Sequence, residues 1–385
     1  MKPVPFEVNV SEELLRNMRR RLRETRWAED FGNDDWTFGI ERGWLEEMVR
    51  YWADDFDWRA QESAMNRFPQ YKVEIDGVPI HFIHVRGKGP NPTPLILTHG
   101  WPWTFWDWEK TIEPLTDPGR FGADPAISFD VVVPSLPGFG FSMPVRTNGL
   151  AAPEIAVLWL KLMRDVLGYQ RFGAAGGDIG AAVTGELGVA YPEHLAGILL
   201  TLPTLPGVDP FALPAEAWAA DEEWMQARMA AIVPTFTHIA PHAHVPQTLA
   251  YAFCDSPVGT AAWIWERRRE WSDCNGDLVG HYGRDFLCTL ASIYWLTNTI
   301  GTSLRFYHAW AQGRLAPPPP TPPILTVPTG FAIFRNDVLM MPRSVAAERS
   351  NLKRWSLLPS GGHFGPAEQP QIVVDELRAF FAALT

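Results

Sequence analysis

The sequence predicts an α/β fold, with a mostly parallel central sheet, a helical cap inserted into it and a helical arm in front. Three observations predict this. Short apolar runs ending in Gly/Pro turns, "PLILTHG" (94–100), "FDVVVPSLPGFG" (129–140) and "LAGILLTLP" (195–203), suit strands buried on both faces. Helical patterns alternate with them, at "APEIAVLWLKLMRDVLG" (152–168) and "IGAAVTGELGVAYP" (179–192), as in open α/β sheets. From about 205 to 316 the alternation stops, and the pattern becomes helical and rich in Trp.

The elements follow in order. "SEELLRNMRRRLRETRW" (11–27) starts at Ser11, an N-cap residue with Glu13 two positions on. "GWLEEMVRYWADDF" (43–56) places apolar residues at i, i+3 and i+4, so residues 1–70 form a helical arm. "YKVEIDGVPIHFIHVRG" (71–87) alternates around Asp76-Gly77, a hairpin signal that opens the first part of the core, 71–204. "RFGAAGGD" (171–178) reads as a strand and turn. After the cap, 205–316, "LAPPPPTPP" (315–323) reads as a stiff connector. The strand-like "ILTVPTGFAIF" (324–334) and the helix "QIVVDELRAFFAALT" (371–385) complete the core over 317–385. No internal repeat is visible.

Composition excludes several function classes. Hydrophobic residues make up 46% and charged ones 20% of 385 residues, which indicates a globular chain. The net charge is −11, and the clusters "RNMRRRLRETR" and "ERRRE" read as solvated helix faces, so nucleic acid is not an expected partner. Three cysteines, Cys254, Cys274 and Cys288, lack CxxC spacing and fit a reduced cytoplasm. The N-terminus lacks the apolar core of a signal peptide, and no run approaches the ~20 apolar residues of a membrane span, so no membrane anchor is expected. His238, His242 and His244 in "THIAPHAH" have no Cys or paired carboxylate with them and read as a mobile lid loop, with no metal. "GKGPNPTP" is no nucleotide-binding loop, and no cofactor is expected.

The chemistry centres on "GGDIG" (176–180), where one acid, Asp178, stands among small residues between a strand and a helix. Two readings are open for this pentapeptide alone. It is the strained elbow of a nucleophile, or Asp178 is a plain helix N-cap. Context favours the elbow. "PLILTHGWP" ends in His99-Gly100-Trp101-Pro102, where an oxyanion loop would present the backbone N–H of Trp101, with that of Ile179 opposite. Asp337 follows a strand in "FAIFRNDVLM", and His363 sits in the glycine-flanked "PSGGHFGPAEQP". Nucleophile, acid and base then occur in the order of the α/β-hydrolase fold. A carboxylate nucleophile forms an ester on carbon, which suits opening an epoxide or displacing a halide, not ester hydrolysis.

With these residues assembled, the chain resembles the microsomal-type epoxide hydrolases, including the juvenile-hormone branch, over nearly its whole length. "PFEVNVSEELLRNMRRRLRETRW", "HGWP", "PSLPGFGFS", "GGDIG", "DSPVGTAAWI", "SLRFY" and "GGHF" carry the resemblance. It implies Asp178 as nucleophile, Asp337 as relay acid, His363 as base and Tyr307 as a lid phenol that activates a small-molecule epoxide. Two positions depart. "HGWPW" puts Trp103 where the family has Gly, expected at the pocket mouth, and Phe236 in "PTFTHIA" stands where the family has a second lid tyrosine. Both are expected to touch substrate. The resemblance also allows a large aromatic epoxide as substrate. The arm is left two roles, clasping the lid or joining a second subunit as a homodimer. Two rival readings are weighed. A haloalkane dehalogenase would release halide rather than diol, and Ile179 lacks the indole many of them place there. A non-catalytic binding protein of this fold would hold an epoxide without turnover.

Overall fold

The Asp76-Gly77 turn forms as its residues require. Asp76 has φ 52° and Gly77 φ 77°, a turn that suits the twist of a two-residue hairpin. It joins strands β2 (Gln70–Ile75) and β3 (Val78–Val85), paired antiparallel with Ile75 opposite Val78. The structure, a computed structural model, describes residues 2–313 and 323–384. The polyproline connector at 315–323 lies outside them except for Pro323.

The apolar runs form the middle of the sheet: β4 (Thr93–Thr98), β5 (Phe129–Pro134), β6 (Phe172–Gly176) and β7 (Leu195–Leu200). With the hairpin strands β2 and β3, β1 (Val4–Phe6), β8 (Leu325–Phe334) and β9 (Ser350–Leu358) they make nine strands among the described residues, ordered β1-β2-β3-β5-β4-β6-β7-β8-β9. From β5 to β9 all pairs are parallel, while β1, β2 and β3 extend the sheet antiparallel. The α/β-hydrolase fold follows from this order and its crossovers.

Two strands escape the sequence pattern. β1 has only three residues, and its Phe6 packs on His81 at 5.2 Å, so the arm begins as a strand. β9 reads "SNLKRWSLL", an edge strand with mixed exposure and no apolar run. Helices Ala152–Lys161 and Ile179–Ala190 pack together on the sheet, as do Glu109–Thr116 and Pro370–Ala382. A Cβ on Gly173 of β6 would stand 2.5 Å from the Phe381 ring, which shows how closely the last helix approaches.

Between β7 and β8 the described residues hold no strand. Residues 205–222 run through short turns, and helices from Glu223–Ile232 to Ile300–Gly313 build the cap. The arm clasps this cap. Trp52 Nε1 donates to Ser292 Oγ at 2.9 Å, Tyr51 donates to Asp285 at 2.7 Å, and Arg21 pairs with Asp255 at 2.7 Å. Trp44 and Trp52 both pack on Trp265, each at 5.8 Å.

One charge reading is overturned. In "ERRRE" Arg267 and Arg268 are buried, not solvated. Arg268 is wholly enclosed, pairs with buried Asp107 and lies 4.0 Å over the Phe364 ring. A buried guanidinium is held by its acid and by aromatic faces, and neither is visible along one helix.

Candidate active site

Asp178 follows β6 and precedes the helix Ile179–Ala190, with φ 52° and ψ −126°. That left-handed backbone is strained for a residue with a Cβ. Its side chain does not cap the helix, so the plain N-cap reading fails. The neighbouring glycines allow the turn to be this tight. A Cβ on Gly180 would lie 2.1 Å from the Thr98 carbonyl oxygen, and one on Gly100 would lie 2.3 Å from Asp178 Cβ. Larger residues would push the elbow out of the sheet.

The loop after β4 meets this elbow directly. Trp101 N–H donates to Asp178 Oδ1 at 2.7 Å. Ile179, the other expected oxyanion donor, opens the helix, where first-turn N–H groups have no partner within the helix. His99 braces the loop: Leu136 N–H donates to its Nε2 at 3.0 Å, and its Nδ1 faces the Gly100 carbonyl at 3.0 Å.

Asp337, three residues past β8, is buried, and its Oδ1 lies 2.8 Å from His363 Nδ1. His363, past β9, places Nε2 3.3 Å from Asp178 Oδ2 without hydrogen-bond alignment. The three side chains thus converge at the carboxyl ends of parallel strands, where open α/β sheets form their clefts. Burial alone would lower the His363 pKa, but the Asp337 charge and the Asp178 and Asp337 contacts outweigh it and push it up to about 9. Burial raises the Asp337 carboxyl, and the charge of His363 opposes that.

Tyr307 lies on Ile300–Gly313 and is buried edge-on to Trp101 at 5.8 Å. Burial, then the Asp178 charge, raises its phenol well above the ordinary range, so it stays protonated. Trp103 is wholly buried and edge-on to His363 at 5.6 Å, so it lies inward of the pocket mouth where it was expected. Phe236 is half-buried, 6.0 Å from Trp271. The expected lid loop around "THIAPHAH" is also corrected. His238 and His242 are buried, with His242 on the short helix Ile239–His244. His238 stacks on Trp101 at 5.0 Å, because the flat imidazole fills an aromatic pocket.

Sequence reasoning missed Glu368. Its carboxylate accepts from Gly362 N–H at 3.0 Å and Phe364 N–H at 2.9 Å, on both sides of His363, and from Asp273 N–H at 2.8 Å. His363 N–H also donates to the Trp271 carbonyl at 2.8 Å, so the cap holds the histidine loop. The signal available was an acid five positions after a histidine, too common to single out. Among the described residues no cluster of His, Cys, Asp and Glu could hold a metal. No described helix is long and apolar enough to cross a membrane.

Known proteins match this architecture. Residues 3–108 match the family described as Epoxide hydrolase N terminus, and residues 93–251 match the alpha/beta hydrolase fold. Epoxide hydrolase 1 of Sus scrofa is 31% identical over 99% of this chain and 88% of its own. Juvenile hormone epoxide hydrolase 2 of Ctenocephalides felis is 28% identical over 97% of this chain and 84% of its own. The structure of Aspergillus niger epoxide hydrolase superposes with a TM-score of 0.87 at 28% identity, covering 100% of this chain and 97% of that one. With this extent of match, and a strained acid elbow at the cleft, the chain belongs to the epoxide hydrolase family and is a hydrolase of the α/β-hydrolase fold.

Proposed function

We propose that the enzyme opens an epoxide to a vicinal diol through an ester on Asp178, which a water activated by His363 then hydrolyses. The observation that carries this is the single line of contacts from Asp337 through His363 to Asp178, with Trp101 N–H on the opposite carboxylate oxygen. Asp178 Oδ1 is held by that N–H, so Oδ2 attacks the epoxide carbon. The C–O bond breaks and its electron pair goes to the ring oxygen, which takes a proton from Tyr307. Ester formation removes the negative charge of Asp178. The raised pKa of His363 depends partly on that charge, so it falls, and the imidazole becomes the base the second step needs. Water then attacks the acyl carbon. Charge develops on Oδ1, where the N–H of Trp101, with that of Ile179, stabilises it.

The aromatic rings around the site support one substrate class. Trp101, Trp271, His238, His242, Tyr307 and Phe236 form a connected set of rings above the nucleophile, which favours a bulky aromatic or apolar epoxide. A single turnover in heavy-oxygen water tests the mechanism. The first diol should carry light oxygen from Asp178, and the label should appear in the carboxylate. Solvent oxygen in the first diol would instead mean direct water attack and would remove Asp178 from its role.

A further inference from the structure

His242 has no part in the steps above, yet it is buried against the groups that perform them. Its ring meets Trp101 edge-on at 4.7 Å and Tyr307 at 5.0 Å. Trp101 is the residue whose backbone N–H binds Asp178, so the imidazole stands beside the reacting groups. An indole N–H can only donate. Trp263 Nε1 donates to His242 Nε2 at 3.0 Å, which makes Nε2 an acceptor. Burial, then the Arg267 charge, lowers the pKa of His242 to about 3, so the ring is neutral at neutral pH. A neutral imidazole with Nε2 accepting carries its proton on Nδ1. That Nδ1 is buried with no hydrogen-bond partner among the described residues. Leaving a buried donor unmet is costly, and an acceptor that arrives with the substrate would meet it. His238 also has an unpartnered Nδ1, but no hydrogen bond among the described residues sets its tautomer.

We propose that His242 Nδ1–H is a second donor to the epoxide oxygen, acting beside Tyr307 and supplying a hydrogen bond that the Phe236 side chain cannot. The proposal rests on the ester mechanism above. His242 keeps its proton throughout: its hydrogen bond strengthens as the C–O pair moves onto the ring oxygen, and the proton that oxygen takes is that of Tyr307. After the ester has formed, His363 gives up its proton, which restores the Tyr307 phenol, and the neutral imidazole then takes one proton from the water that hydrolyses the ester, so both groups end as they began. Trp263 is a positioning residue here, since its N–H selects the useful tautomer.

Two isosteres separate this role from a structural one. Gln at 242 offers a carbonyl oxygen where Nε2 stood, keeping the acceptor for Trp263, but has no donor at the Nδ1 position. Asn offers an N–H at that position and loses the acceptor. Each is placed in a His363→Gln background, where the ester accumulates, and styrene oxide labelling is followed by intact-protein mass. The expected result is labelling slowed on the order of a hundredfold in His242→Gln and largely kept in His242→Asn. Equal labelling by His242→Gln and its parent overturns the proposal and hands the role to the unpartnered Trp101 indole in the same cluster. An Asn variant as slow as Gln also overturns it. Should the Asn variant fail to fold by circular dichroism, the Gln variant alone decides. A His363→Gln parent that takes up no label removes the ester mechanism itself, which is a distinct failure.

Discussion

Under the proposed mechanism, the proton on His363 sets the order of events at the site. With a pKa of about 9, the imidazole is charged at neutral pH between two carboxylates. In the proposed mechanism, a charged imidazole keeps Asp178 an anion ready to attack and becomes a base only once the ester has formed. The same shift is a stability statement. The folded value lies above the unfolded value of roughly 6.5, so the stabilisation is fully present below about pH 6.5 and is lost as pH rises through about 9. The difference amounts to ~3 kcal/mol for this buried group. Urea melts of wild type should therefore weaken between pH 7 and pH 10 more than those of His363→Gln. Parallel pH profiles for the two proteins would contradict the raised pKa. Asp178, Asp337 and His363 were legible in the sequence because each is marked locally, by glycines or by the end of an apolar strand. The role proposed for His242 was not, because it depends on Trp263 and Trp101, which only the fold brings beside it.

Among the elements, the cap helix Pro257–Trp271 ties the cap to two loops of the site. Its Arg268 reaches Asp107, which also accepts from Thr104 N–H at 2.8 Å and so shapes the loop that carries Trp101. Its last residue, Trp271, accepts from His363 N–H. A helical pattern shows that "WIWERRREW" forms a helix, but a buried arginine breaks the rule that charges face water, and its partner is 161 residues away. Charge patterning therefore pointed the wrong way. The physical consequence is specific. Arg268→Met should destabilise the protein by about 3–5 kcal/mol, because it leaves the Asp107 charge buried and unpaired. Adding Asp107→Asn, which keeps an oxygen for Thr104 and removes the charge, should recover more than half of that loss in urea melts. If the double variant is no more stable than Arg268→Met, the cost lies in packing around Phe364 and not in the charge.

Across the whole molecule, the arm makes core and cap one structure. Its amphipathic helices announce an apolar partner without saying which, and for that reason the sequence left the lid and a second subunit equally open. The structure seats it on the cap through Trp44 and Trp52 against Trp265, while β1 ties its start to the sheet. The polar contacts at the rim, such as Arg21 with Asp255, are exposed and contribute little. The weight falls on Trp52, which is fully buried and also donates to buried Ser292. Trp52→Ala should cost about 3–5 kcal/mol through the lost ring and the cavity it leaves. Because Trp52 packs on Trp265 of the helix Pro257–Trp271 and donates to Ser292 of the helix Arg284–Leu296, this loss should be local. Amide exchange should quicken together in Arg42–Asp54, Pro257–Trp271 and Arg284–Leu296, leaving β4, β6 and β7 protected as before. Ester formation should slow as well, since the helix Pro257–Trp271 also holds the His363 loop through the Trp271 carbonyl. Faster exchange confined to the arm, with an unchanged rate of ester formation, would show that the clasp is dispensable and that the cap is held by its contacts with the core alone.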